Sequence, residues 1–278
     1  MYEIVQPAPP GPHAQIAPVP NKLKTALRLL RSGDFKSLWR QIRLNGIHLR
    51  RTYRFHINGV VFRLYTEGED FELMEMPEEL RSLEQFGPGD FDAVIVAGAH
   101  TGRDPLYFAG IARRVIAFEP HPRNFQPLQG NVALNRRTNI TLKNMAISDA
   151  DSTHRVHRRR RHLRCGTAVL PGAPAGGVRT ITVTAARLDS LVEEMDLGKD
   201  SRILLWMDIE GAELRALEGA VGFLREHRPV VHPEIHPIQL ARQGRSPDDV
   251  RGRLAELGYR DYRVVEKSRE LHALAFPD

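Results

Sequence analysis

The chain has 278 residues, 41% of them hydrophobic, and a formal net charge of +6, which suits one large α/β domain or one ordinary domain with an extension. No run of ~18 uninterrupted apolar residues occurs, and MYEIVQPAPPGPH has neither the basic nor the apolar region of a secretory signal. The single cysteine, Cys165, can form no internal disulfide and has no metal-ligand spacing around it, so a cytoplasmic protein without structural zinc is expected.

Residues 1–21 hold six of the nineteen prolines and almost no charge, the composition of a disordered leader. Leu23, Ala26, Leu27 and Leu30 then fall at helical spacing, as do Phe35, Leu38, Trp39 and Ile42, with Asp34 placed to cap the second helix. From Lys22 to His56 ten Lys/Arg meet one acid, a local charge of +9. The two apolar stripes either pack on the body of the protein or meet an anionic membrane surface or a partner protein. FHINGVVFRLY (55–65) reads as a hairpin turning at Asn58-Gly59, and PEELRSLEQFG (77–87) as a short helix closed by Gly87. The expected division is a leader over 1–21, a basic extension over 22–90 and the main domain over 91–278.

From there strand and helix patterns alternate. Strand-like runs are AVIVAG (93–98), RVIAFE (114–119), ITLKNMAI (140–147), RTITVTA (179–185), RILLWMDI (202–209) and PVVHPEIH (229–236). Helix-like segments span 102–112, 122–135, 211–226 and 247–257. Such alternation predicts a parallel sheet with helices on both faces and a site at the carboxyl ends of the strands. HRVHRRRRHLRC (154–165) interrupts it with six arginines and no acid, so removing +9 and +6 from the total of +6 leaves the remainder at −9. The acidic body makes the high pI a poor argument for nucleic acid, which is not expected as a partner. The arginine run is a solvated loop or flap, or else Arg158 and Arg160 close over an anionic acceptor.

Gly98 and Gly102 bracket Ala99-His100-Thr101 at the exit of the first strand. Small residues there let the backbone approach a ligand, and the next helix presents N–H groups to a carboxylate or phosphate. Glu119 ends the second strand at the place where an acid accepts from both ribose hydroxyls of an adenosine, although an acidic cap on the helix from Pro122 explains it as well. The absence of GxGxxG argues against NAD. Asp208, Glu210, Glu234 and His236 end two further strands. His236 as general base, with Asp208 orienting the acceptor, is the preferred assignment. A metal on His232, Glu234 and His236, which share a strand face, is the alternative and is set aside because two prolines disturb the strand.

LLWMDIEGAELRALEGA (204–220), with AGAHTG, FEPHPRNFQPLQGNVALN and NMAISD in that order, resembles the FkbM family of S-adenosylmethionine-dependent methyltransferases over roughly 85–236. The resemblance implies a Rossmann-like class I methyltransferase fold, a mostly parallel seven-stranded sheet with helices on both faces, here with a basic helical N-terminal extension. It implies that Gly98, Ala99, His100 and Gly102 face the methionine part of S-adenosylmethionine. Glu119 then binds ribose, Met145 and Ala146 flank adenine, and Asp208 and Glu210 sit where the sulfonium meets the acceptor, beside Glu234. The family usually methylates hydroxyls, often on sugars or polyketides. One departure is Val96, where the family's loop usually has Asp. Asp92 lies ~13 Å away along the strand, and one lost charge-assisted hydrogen bond costs about 1.5–3 kcal/mol. A catalytically weak member serving as a binding module is therefore the rival. A nucleic-acid methyltransferase is disfavoured by the lack of an Asn-Pro-Pro-Tyr-type base pocket and by an aromatic content of 7%.

Overall fold

The computed structural model describes residues 3–4, 50–57, 60–67, 86–158, 179–267 and 270–278. The two basic helical patterns of 22–42, most of the helix expected over 77–87, and Arg160 lie outside the described residues. Within the stretch read as a leader, β1 (Glu3–Ile4) pairs antiparallel with β2 (Arg50–Ile57). β2 and β3 (Val60–Glu67) pair antiparallel with Ile57 opposite Val60, the register of the expected hairpin; Asn58 and Gly59 lie outside the described residues. Val60, Phe62 and Leu64 are buried while Val61 and Arg63 face outward, the period-2 pattern of a strand with one face on a core. That core is the one shared with Leu106, Tyr107 and Phe108. Asn135 clamps the hairpin from the side, its Oδ1 accepting from the Arg63 N–H at 2.6 Å.

The chain continues through β4 (Ala93–Ala97), α1 (Arg103–Phe108), β5 (Arg114–Phe118), α2 (Pro122–Leu134), β6 (Ile140–Lys143), β7 (Ala146–Ile147), β8 (Ser152–Arg158) and β9 (Arg179–Ala186). Then follow α3 (Leu188–Met195), β10 (Ile203–Asp208), α4 (Glu213–Glu218), α5 (Val221–His227), β11 (Val230–Ile235), α6 (Pro237–Ala241), α7 (Pro247–Glu256), β12 (Asp261–Lys267) and β13 (Leu271–Phe276). One seven-stranded sheet runs in the order β12-β13-β11-β10-β4-β5-β6. β11, β10, β4, β5 and β6 are parallel, and β13 is antiparallel to both β11 and β12. Order reverses beside β4, with β5 on one side and β10 on the other, so the carboxyl ends of β4 and β10 form the switch point where such sheets place their sites.

Both faces of the central strands are covered, which is why they read as unbroken apolar runs. Val94, Val96, Leu204 and Trp206 pack with Phe86, Phe108 and the hairpin. Ile95, Ala97, Leu205 and Met207 pack on the other face with Leu217, Phe223, Leu254 and Tyr259.

Four expectations need correction. The run 140–147 is not one strand: β6 stops at Lys143, Asn144 Nδ2 donates to the Glu119 carbonyl at 2.8 Å, and β7 leaves for a different sheet. The strand expected at 179–185 belongs to that second sheet, of order β7-β9-β8, rather than to the main one. The arginine run begins as a strand, not a loop, because β8 pairs antiparallel with β9 and sets Arg158 opposite Arg179; residues 159–178 lie outside the description. The helix expected over 211–226 is two helices, α4 and α5, divided at Gly219-Ala220. A Cβ on Gly219 would stand 1.8 Å from the Ser148 carbonyl oxygen, so backbone packs on backbone at the break. No helix among the described residues is long and apolar enough to cross a membrane.

Candidate active site

The turn after β4 is held from within. The N–H groups of Gly98 and Ala99 both donate to the Phe118 carbonyl at 2.9 Å, so these two amides are engaged by the protein itself. Gly98 has φ +90°, and a Cβ there would lie 1.7 Å from the Asp208 carbonyl oxygen. Glycine is required because the end of β10 presses against the turn, a reason the spacing of the motif does not reveal. Gly102, at φ +108°, caps the six-residue α1, and its added Cβ would meet Leu128 Cδ1 at 2.9 Å. His100 adopts φ +48° and donates its N–H to Glu119 Oε2 at 2.9 Å. Its ring Nε2 is shielded from water and has no hydrogen-bond partner among the described residues. Burial, with the Arg103 charge beside it, holds the ring down to about 4, so the imidazole is neutral at pH 7.

Val96, where the family's Asp is missing, is fully buried between Ala117 and Trp206 in the sheet register. Trp206 fills this face and donates Nε1 to Asp104 Oδ2 at 3.2 Å. Asp92 stands at the opposite end of β4, accepting from the Arg202 N–H at 3.0 Å, and takes no part in the loop, as expected.

Glu119 is 3% exposed. Its Oε1 accepts from the His121 N–H at 2.8 Å and from Asn124 Nδ2 at 3.2 Å, and Oε2 from His100. Burial pushes its carboxyl up to about 7, against the pull of these three donors. A carboxylate offers about four acceptor positions, so the acid has room for one hydroxyl. Binding both ribose hydroxyls requires the His100 or His121 amide to move aside. The helix cap is not Glu119: His121 Nδ1 caps α2 by accepting from the Arg123 N–H at 3.1 Å. Met145 is half-buried against the core, and Ala146 is buried in β7 opposite Ala185.

The densest chemistry lies where β10 and β11 end. Asp208 closes β10, Glu210 follows in a left-handed conformation at φ +52°, and Gly211 continues at φ +95°. A Cβ on Gly211 would lie 2.5 Å from Gln239 Cβ. This turn swings Glu210 back toward α6, where Gln239 Nε2 donates to its Oε2 at 2.6 Å. The third acid of the motif, Glu213, is fully buried at the start of α4; its Oε1 accepts from the Gly211 N–H at 3.0 Å and lies 2.9 Å from His236 Nδ1. From the other side of the ring, His236 Nε2 faces Asp208 Oδ1 at 3.5 Å, Glu234 Oε1 at 3.7 Å and Glu210 Oε2 at 3.9 Å.

Burial alone would lower the His236 pKa, but the Glu213 hydrogen bond and the charges of Glu210 and Asp208 outweigh it and hold the ring well above its usual value. Four carboxylates around the ring favour its protonated form, which makes the more exposed Asp208 and Glu210 better placed than His236 to receive a proton. Asp208 and Glu210, with side chains 29% and 24% exposed, are the open acids of the cluster. His232 does not join it: its ring stacks on Trp206 at 3.9 Å and 5°. Glu213 went unassigned on the sequence, although its place as the last acid of DIEGAE was a usable signal. A cleft of about 790 Å³ adjoins the turn at Gly211 and is lined by residues of both charges, Arg215, Arg242 and Arg245 among the cations and Glu218, Asp248 and Asp249 among the acids. Arg215 lies within the motif of 204–220, while Arg242 and Arg245 come from the α6–α7 connection, outside every motif.

A family model described as Methyltransferase FkbM domain matches residues 97–260. Among solved structures, the chain is similar to a Methyltransferase FkbM from Methylobacillus flagellatus KT, with 22% identity over 67% of this chain and 44% of that one, at TM-score 0.45. It thus spans less than half of that protein's length. It is also similar to M. jannaschii TYW2 in complex with AdoMet, with 14% identity over 82% of this chain and 84% of that one, at TM-score 0.39. A third is SMU.1697c from Streptococcus mutans in complex with SAH, with 12% identity over 73% of this chain and 98% of that one, at TM-score 0.40. No curated protein matches.

Proposed function

The chain belongs to the FkbM family of methyltransferases, and from that premise we propose that it methylates a hydroxyl of a sugar, glycan or polyketide-like acceptor with S-adenosylmethionine as donor. The observation that carries this reading is adjacency. Gly98 of the loop and the Asp208 carbonyl are in backbone contact, so whatever the loop holds lies against the acids that end β10 and β11. The residues present suit the cofactor: Glu119 keeps acceptor capacity for a ribose hydroxyl, and the orphaned His100 Nε2 is a polar atom that a ligand of this loop would satisfy. When bound, the cofactor supplies a methyl group on a sulfonium whose leaving group is already good.

The chain's own task is to place the acceptor oxygen and remove its proton. Glu210, held by Gln239 and open toward solvent, takes the proton. Asp208 orients the acceptor by accepting from a neighbouring hydroxyl. His236, clamped at Nδ1 by Glu213, keeps the two acids poised. The adjoining cleft is lined by four arginines and five acids, so it sets no preference for the charge of the acceptor. Glu234, Arg158 and Arg160 stay assigned to the same acceptor.

The test is transfer of labelled methyl from S-adenosylmethionine to a panel of sugars, nucleotide sugars and polyketides. Labelled product that disappears in Glu210→Gln is expected. A specific observation favours a binding-module reading: the loop lacks a carboxylate at the buried Val96, and two of its amides are tied to Phe118. Calorimetric titration with S-adenosylmethionine decides, since micromolar binding supports the enzyme and no binding supports the module.

A further inference from the structure

Around His236 the charges do not balance as an acid–base pair. Glu213 occupies Nδ1, and on the Nε2 side three more carboxylates converge on one ring nitrogen of a side chain only 3% exposed. We propose that Asp208, Glu234 and His236 form a binding site for one divalent first-row cation of the Mn²⁺ or Zn²⁺ class.

Three observations support it. First, the distances of 3.5, 3.7 and 3.9 Å from Nε2 to the facing oxygens are long for hydrogen bonds. One ligand atom from each of Asp208, Glu234 and His236 lies within 4.8 Å of the others. Donors on a sphere of ~2.0–2.4 Å radius stand about 3 Å apart when adjacent and at most about 4.8 Å apart when opposed, so the three span the size of a coordinated ion. Second, the Glu213 hydrogen bond to Nδ1 holds the ring with Nε2 aimed into the cluster, where an incoming cation would displace the Nε2 proton and take its lone pair. Metal-bound histidines usually have this carboxylate behind them. Third, the donor set mixes imidazole with carboxylates, which suits Mn²⁺ or Zn²⁺ better than the all-oxygen preference of Ca²⁺. Glu234 is nearly buried while Asp208 is 29% exposed, so the open side faces the acceptor. This differs from the set weighed on the sequence, because His232 is stacked on Trp206 and Asp208 comes from the neighbouring strand.

Binding stands on this geometry alone; its use in the reaction, polarising the acceptor oxygen beside Glu210, rests on the proposed methyl transfer. The experiment therefore omits donor and acceptor. Full-length protein is stripped with EDTA and titrated with Mn²⁺ by paramagnetic resonance, and with Zn²⁺ by calorimetry. One saturable site per chain is expected. Asp208→Asn and His236→Gln should each weaken it about ten- to a hundredfold, and Glu194→Gln, a surface control on Lys143, should leave it unchanged. Circular dichroism confirms that each variant is folded. The proposal is overturned if the wild type shows no saturable site up to about 1 mM of either ion, or if folded Asp208→Asn and His236→Gln bind as the wild type does. Metal binding without methyl transfer retires the activity and keeps the site; methyl transfer without metal binding does the reverse.

Discussion

Gly98→Ala tests how the cofactor loop and the acid cluster are joined. The added Cβ would lie 1.7 Å from the Asp208 carbonyl oxygen, 1.3 Å inside the 3.0 Å that real Cβ atoms keep. Both neighbours are backbone, so no side chain can swing away. Gly89 provides an internal reference, with φ +89° against +90° and nothing within 4 Å of its added Cβ. Gly89→Ala therefore carries only the left-handed backbone penalty of about 1–2 kcal/mol. Gly98→Ala carries the same penalty plus overpacking of about 1–3 kcal/mol, or about 2–5 kcal/mol in all. Because relief requires the end of β10 to retreat, Asp208 and Glu210 shift by roughly 1 Å, and a misplacement of that size costs about a hundredfold in rate. Urea unfolding by linear extrapolation measures the stabilities, and initial rates of methyl transfer measure the second effect. Equal losses for the two variants, within ~0.5 kcal/mol, would refute the contact between loop and cluster.

The buried Glu119 makes stability fall as pH rises. Its folded pKa of about 7 exceeds the ordinary 4.5 of an exposed glutamate, so the stability is fully present below about 4.5 and is lost as pH rises through 7. Wild type should lose about 2–3 kcal/mol more than Glu119→Gln between pH 5 and pH 8, and parallel pH profiles in urea melts would contradict this. Glu119→Ala should weaken S-adenosylmethionine binding at least about tenfold, read by calorimetry at pH 7.5. Glu213→Gln removes the anchor of His236 Nδ1 without changing size, and turnover should drop about ten- to a hundredfold with the pH–rate profile displaced; an unmoved profile means that Glu213 is structural only.

The alternation of apolar runs and helical patterns was enough to place β4, β5, β10 and β11 in a parallel sheet, and Asn58-Gly59 was enough to place a hairpin. β12 and β13 were not legible. DYRVVEK carries charges at both ends as an edge strand, and LHALAF gains its identity as a strand only by pairing with β11. β9 looks like its neighbours in the main sheet, yet it pairs elsewhere, because strand composition reports burial and not partner.

The sequence by itself determined the family, the order of the elements and the identity of the acids and histidines at the strand ends. Those are properties of residues close together along the chain. Only the tertiary structure decided what each one does. It brought Glu213 behind His236, stacked His232 on Trp206, turned Glu119 inward onto its own loop, and pressed Gly98 against Asp208. The physical reason is that protonation, strain and coordination depend on distances of a few ångströms between segments that lie from about twenty to more than a hundred residues apart. The strand order that brings β10 and β11 beside β4 creates those distances, and no local pattern encodes them.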